Sequence, residues 1–167
     1  MRYPEVAGLS IGLMDVIPRI LVAAIYEPSQ GDVFGPFLIA NVHNSRETIA
    51  LGLSTMDGFQ IGMVIIMGLY LLTMMAARML RADNLGFRLG RMALAVAMGV
   101  ALLNMGEWVL TAKVTDYVGV MSGTRFWAIN LGDLALGMSM VGFPALLAWG
   151  VLQALLPRLA QLEGREP

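Results

Sequence analysis

The sequence predicts an all-α membrane protein: a bundle of four transmembrane helices with a small β-sheet outside the bilayer. Three observations predict it. Of 167 residues, 57% are hydrophobic and only 14% are charged, where a soluble domain carries about 25% charged residues. Four apolar runs reach the roughly 20 residues that cross a hydrocarbon core as helix. The long segment between the first two runs is broken by Pro28, Gly31, Gly35 and Pro36 and holds short stretches of strand formers. The length suits a single integral membrane domain over 1–167.

The first run covers about 6–26 and is interrupted by Asp15, Pro18 and Arg19. It is too long for a cleavable signal peptide, has an acid and a base in its middle, and lacks a small-residue cleavage site. The second run, about 59–80, is the cleanest. The third, about 89–110, carries Asn104 and Glu107 near its end. The fourth, about 127–156, carries Asn130 and Asp133 near its start, and is long enough to tilt or to project beyond the core. Val33-Phe34 and the stretch Phe37 to His43 read as strands. They predict a sheet over about 31–47, closed by an amphipathic stretch around 48–56. Val114 to Val120 is a further candidate strand.

Arginine sets the orientation. The link between runs two and three holds Arg78, Arg81, Arg88 and Arg91 against Asp83. The link between runs one and two holds Arg46 against Glu27, Asp32, Glu47 and Asp57. The positive-inside rule puts the arginine-rich link in the cytoplasm. Both termini then face the cytoplasm too, in keeping with Arg2, Arg158 and Arg165. Segments 27–57 and 111–126 face the other side, where the polar ends of runs three and four meet.

On that side lie Asp116 and Asp133. An ionisable side chain at membrane depth costs roughly 2.5–3.5 kcal/mol on insertion scales, so it marks a functional site by default. Two carboxylates meeting at one end of a bundle suggest a dyad sharing one proton. Plainer readings stand beside this one. Asn130 and Asp133, three apart, share a helix face and suit a polar cap at a helix start. Asp116 suits a solvated loop. Asp15 and Arg19, four apart, can simply neutralise each other, and Glu107 should face the bundle interior. Trp108, Tyr117 and Trp127 read as an interfacial aromatic belt. His43 reads as a sheet or surface histidine, and the 14 methionines as adaptable packing. No cysteine is present, which excludes disulfides, thiol nucleophiles and thiolate metal sites. The lone histidine argues against a histidine metal centre.

Five motifs, in order, resemble those of the lipoprotein signal peptidases (signal peptidase II), aspartic peptidases of the bacterial inner membrane with four helices. Asp15-Val-Ile-Pro-Arg19 resembles the family's Asp-x-x-x-Lys. Asn41-Val-His43-Asn-Ser-Arg46-Glu47 resembles Asn-Leu-His-x-x-Arg-Asn of the periplasmic sheet. Asn104-Met-Gly-Glu107-Trp108 stands for Asn-x-x-Asp-Arg. Val114-Thr-Asp116-Tyr117 resembles Val-Val-Asp-Phe, and Asn130-Leu-Gly-Asp133 resembles Asn-x-Ala-Asp. The resemblance covers about 9–150. It implies a multi-pass inner-membrane peptidase with Asp116 and Asp133 as the catalytic pair. Asn104, Glu107, Asn130, Asp15 and Arg19 would support that pair, and Asn41, Arg46, Glu47 and Trp108 would serve substrate recognition. No metal and no cofactor are implied. The partners implied are membrane lipids and the signal helix of a diacylglyceryl-modified prolipoprotein, with no nucleic acid. The departures are Arg19 for lysine, Glu47 for asparagine, and Glu107-Trp108 for Asp-Arg. They fit a divergent member or paralogue. The competing class is therefore a catalytically impaired paralogue serving as a structural, lipid-binding or partner-binding subunit among other membrane subunits.

Overall fold

The computed structural model describes residues 3–45, 54–122 and 125–162. Four helical segments are long and apolar enough to cross a membrane: Pro4–Ile25, Thr55–Met79, Leu85–Thr111 and Leu131–Leu159. A four-stranded antiparallel sheet accompanies them. The expected fold class, four spanning helices with a small sheet, is the one observed.

The first span is two helices, α1 (Pro4–Leu13) and α2 (Val16–Ile25), separated by a turn at Met14 and Asp15. Pro18 accounts for the break. It has no N–H to give, and its ring opposes the carbonyl four residues back, that of Met14. The Met14 carbonyl instead accepts from Ile17 N at 3.0 Å. The break leaves Asp15 buried between two helices.

Strands β1 (Gly31–Phe34) and β2 (Phe37–Asn44) form a hairpin, with Phe34 paired to Phe37 and Gly35 at φ 62° in the turn. Helix α3 (Thr55–Met79) starts at Ser54, whose Oγ accepts from Asp57 N at 3.1 Å. Helix α4 (Leu85–Thr111) starts at Asn84, whose Oδ1 accepts from Phe87 N at 3.2 Å, and ends at Ala112 in the left-handed region. Strand β3 (Val114–Ser122) then pairs with β2, and β4 (Arg125–Ile129) pairs with β3, giving the order β1-β2-β3-β4.

The start of the fourth span and the make-up of the sheet differ most from the sequence reading. The fourth span does not begin at 127. Residues 125–129 are strand β4, and α5 (Leu131–Leu162) begins after Asn130. Phe126, Trp127 and Ile129 are apolar enough to join a hydrophobic run, but aromatic and β-branched residues beside an open strand edge pair as sheet. The sheet therefore has four strands and draws half of them from 114–129. The predicted Arg46, Glu47 and the stretch 48–53 lie outside the described residues.

Helix α4 is the central element, packed by α1, α3 and α5. Gly12 and Gly99 let α1 and α4 touch backbone to backbone. A Cβ on Gly12 would stand 2.4 Å from Val96 O, and one on Gly99 2.7 Å from Leu9 O. Small residues at helix crossings are how membrane bundles gain close packing. Ile66, Leu94, Ala97, Ala101 and Phe143 form the buried apolar centre. At the end away from the sheet, Arg91 pairs with Glu5 (2.8 Å) and Asp83 (2.9 Å), tying α1 and the α3–α4 link to α4.

Candidate functional site

The sheet positions one carboxylate and α5 the other. The register that pairs Val118 with Ile129 brings Asn130 alongside Tyr117 and Asp116, and on the other edge Asp116 stands opposite Val42. Asp116 is buried, Asn130 is fully buried, and Asp133 is half-buried in the first turn of α5.

Asn130 joins the two aspartates. Its Nδ2 donates to Asp116 Oδ1 at 3.0 Å and to Asp133 Oδ2 at 3.0 Å. Two such bonds from one nitrogen hold the carboxylate oxygens within about 6 Å of each other, a gap that one water bridges. The same side chain caps α5, its Oδ1 accepting from Asp133 N at 2.7 Å. An asparagine cap is favoured because its oxygen takes an orphan N–H of the first turn. Here the amide's other end faces the dyad. Asn104 of α4 donates to Asp133 Oδ1 at 3.0 Å, and Asn44 of β2 reaches Asp116 Oδ2 at 3.4 Å.

Burial pushes the Asp116 carboxyl up to about 6. The bond from Asn130 opposes this, the negative charge of Asp133 adds to it, and Asn44 and the Arg19 cation oppose it more weakly. Asp116 is thus a carboxyl that keeps its proton to unusually high pH beside a second carboxylate.

Behind the dyad stands a charged network centred on Arg19. Its guanidinium donates to Asp15 Oδ2 (2.8 Å from Nε, 2.5 Å from Nη2), to Asn104 Oδ1 (2.5 Å) and to Glu107 Oε2. Glu107 in turn accepts from Thr115 N (3.0 Å) and Thr115 Oγ1 (2.5 Å). One planar fork serving three acceptors is arginine's particular capability. Asn104 is the link forward, taking Arg19 on its oxygen and giving its amide to Asp133.

The structure thus brings Asp116, Asp133, Asn104, Glu107, Asn130, Asp15 and Arg19 into one hydrogen-bonded cluster. Asn41 stands apart from it. It is buried, and its Nδ2 donates to Tyr26 O at 2.9 Å, bracing the α2–β1 connection. Trp108 is half-buried in the last turns of α4. Tyr117 does not belong to the interfacial belt. It is 3% exposed and its hydroxyl donates to Asp15 Oδ1 at 2.5 Å. Burial and that bond raise its pKa above the ordinary tyrosine value. Sequence reading also missed Thr115 and Asn44. The alternation of β3 gives no sign that Asp116 and Tyr117, adjacent in the chain, are both buried. His43 sits 3.0 Å from Lys113 Nζ through Nδ1, and its pKa is lowered, first by burial and then by the Lys113 charge.

A groove of about 580 Å³ opens beside Asp133. Ile129, Leu134, Met138 and Val141 line it, and Gly137 and Gly142 leave one side flat. Among the described residues, Asp133 is its only ionisable wall. A second groove, about 510 Å³, lies behind the network between α2 and α4, where Arg19, Glu107, Thr111 and Thr115 join a largely aliphatic wall.

Two solved structures of bacterial membrane enzymes, both obtained by the in meso method, share the fold. The one at 2.3 Å resolution superposes with a TM-score of 0.58 at 18% identity, over 96% of this chain and 92% of the other. The one at 1.9 Å gives 0.57 at 18% identity, over 84% and 89%. No curated protein matches the sequence. The family model for signal peptidase (SPase) II matches residues 8–150, a stretch that holds every member of the cluster around Asn130, and the chain belongs to that family.

Proposed function

We propose that this protein is an intramembrane aspartic endopeptidase that removes signal peptides from diacylglyceryl-modified prolipoproteins. The observation that carries the reading is the shared amide of Asn130, which holds Asp116 and Asp133 to one nitrogen. Family membership supports a peptidase of this class.

Peptide hydrolysis needs an activated water and a proton for the leaving amine. Two close carboxylates with one proton between them supply both, because like charges so near do not both ionise readily. The ionised member takes a proton from water as it attacks the scissile carbonyl. The protonated member donates to the departing nitrogen. Asn130 and Asn104 keep the pair in register and compensate the charge that remains.

The apolar groove beside Asp133 suits a hydrophobic signal helix lying along α5. Its glycines permit close approach of a second backbone. The sheet would then hold the lipid-bearing end at the membrane surface. Trp108, and Arg46 with Glu47, belong to the motifs flanking the site and would influence substrate choice. The excess of arginine in the α3–α4 link supports both termini facing the cytoplasm, and the family resemblance implies the inner membrane. The comparisons lend no support to an impaired paralogue acting as a subunit.

The test is direct. The purified protein, in lipid, is incubated with a diacylglyceryl-modified preprotein beside an active member of the family. Cleavage just before the modified cysteine is expected. No cleavage by this protein or by its Trp108→Arg variant, while the control is active, would end the peptidase reading.

A further inference from the structure

The polar contacts that the dyad leaves unused converge on the first turn of α5. A helix start leaves up to four backbone N–H groups without partners in the helix. In α5 three successive ones are satisfied by three different parts of the chain. Leu131 N donates to the Tyr117 hydroxyl of β3 at 3.0 Å. Gly132 N donates to Asp15 Oδ1, at the break in the first span, at 2.9 Å. Asp133 N donates to Asn130 Oδ1 at 2.7 Å. The Tyr117 hydroxyl closes the ring by donating to the same Asp15 Oδ1 at 2.5 Å. The positive end of α5 favours the Asp15 carboxylate there.

Gly132 reports how tightly this turn is held. A Cβ on it would stand 2.8 Å from Asp15 Oδ2, 2.9 Å from Asn130 Oδ1 and 3.0 Å from Val100 Cγ1. The first two atoms are ends of side chains, but neither is free to swing. Arg19 holds Asp15 from one side and Tyr117 from the other, and Asn130 is held by both aspartates. The Tyr117 hydroxyl and the bare Cα of Gly132 thus meet the same carboxylate, that of Asp15.

We propose that Tyr117 is a positioning residue for the dyad: by holding Leu131 N and Asp15, its hydroxyl sets the first turn of α5 and so the seat of Asp133 against Asp116. Tyr117 is the chain neighbour of Asp116, so one residue connects the strand that carries the first aspartate to the helix that carries the second. The proposal rests on the peptidase reading.

Tyr117→Phe keeps the ring and removes only the hydroxyl. With the lipid-modified preprotein, kcat should fall about tenfold while KM stays within about twofold, because the loss is felt in aligning the dyad and not in binding the signal helix. Amide hydrogen exchange at residues 131–133 should quicken, while exchange around Leu94 in α4 stays as it was. Gly132→Ala disturbs the same turn from the other side and should show the same division between kcat and KM. It decides the matter if the phenylalanine variant fails to fold. If the unmutated protein cleaves and both variants keep kcat within about twofold, the peptidase reading stands and the role of Tyr117 is overturned. A rise in KM at constant kcat overturns it as well, in favour of substrate binding. If the unmutated protein does not cleave where a family control does, both readings fall together.

Discussion

Asn104 and Asp133, on α4 and α5, are joined by a 3.0 Å bond from Asn104 Nδ2 to Asp133 Oδ1, while the other end of the same amide takes Arg19 Nη2 at 2.5 Å. One side chain therefore relays the position of a buried cation to a carboxylate of the dyad. The chain of contacts runs from Asp15 and Glu107 through Arg19 and Asn104 to Asp133, then through Asn130 to Asp116. A change at any point of it should be felt at the dyad.

At the dyad itself, Asp116→Asn and Asp133→Asn should each abolish cleavage, by at least about 10³-fold in kcat. Each removes either the base or the acid, so the double variant should be little worse than either single one. Single-turnover assays on the three variants measure this. Additive losses would mean that the two aspartates do not act as a unit.

Asn130→Ala should lower kcat by roughly 100-fold, because it removes the shared donor and the cap of α5 together. Asn130→Ser separates the two roles. Serine is a good N-cap but too short to reach both carboxylates, so thermal stability should recover while activity does not. Recovery of both would show that Asn130 matters only as a cap.

The pH profile follows from Asp116, raised from 3.8 to about 6 mainly by burial. Below about 6 the carboxyl keeps its proton, and above it the proton leaves. A dyad that works with one shared proton then loses it, so kcat/KM of the free enzyme should decline as pH rises through that value. The linkage sign agrees. Between 3.8 and about 6 the folded state binds more protons than the unfolded chain, so this group's contribution to stability diminishes as pH rises across that window. Asn44 donates to the charged form, so Asn44→Ala should move the decline to higher pH. A shift to lower pH would contradict the assignment.

Much of this arrangement was legible in the residues, for reasons that differ by element. Length and apolarity suffice for the spans, since hydrocarbon leaves the backbone few options. They do not suffice at 125–129, where the aromatic run Phe126-Trp127 counts toward hydropathy whether it lies in a helix or in a strand. The Asp15–Arg19 pair follows from helical spacing alone. Its third and fourth partners, Glu107 and Asn104, lie more than 80 residues away and are brought in by the packing of α4. Sequence alone places Tyr117 at the interface, where tyrosine is common. Nothing local announced that a break at Pro18 would leave a buried carboxylate for it to bond.

Among the described residues, Arg19 is the sole cation that pairs with both carboxylates of this network, Asp15 and Glu107. Arg19→Met should therefore destabilise the fold by about 3–5 kcal/mol, because it leaves buried charge uncompensated. Arg19→Lys keeps the charge but offers a compact ammonium where a fork spans three acceptors, so a loss of about 1–2 kcal/mol is expected. Unfolding in detergent micelles measures both. Equal stability of the methionine variant would mean that the carboxylates take up protons when the cation is removed.

The placement in the membrane is testable because the chain has no cysteine of its own. Asp32 lies in the β1–β2 hairpin and Asp83 in the α3–α4 link, at opposite ends of the bundle. Asp83 is half exposed and pairs with Arg88 and with Arg91; when it is replaced, Arg91 keeps Glu5 as a partner. Asp32→Cys and Asp83→Cys, each made singly, should react with an impermeant thiol reagent from opposite faces of the membrane. The arginine-rich link predicts the cytoplasmic face for position 83 and the outer face for position 32, the face of the dyad. Labelling of both from one side would contradict four crossings. Labelling from opposite sides but in the reverse sense would put the dyad at the cytoplasmic surface, where a lipid-modified preprotein exported across the membrane does not present its cleavage site.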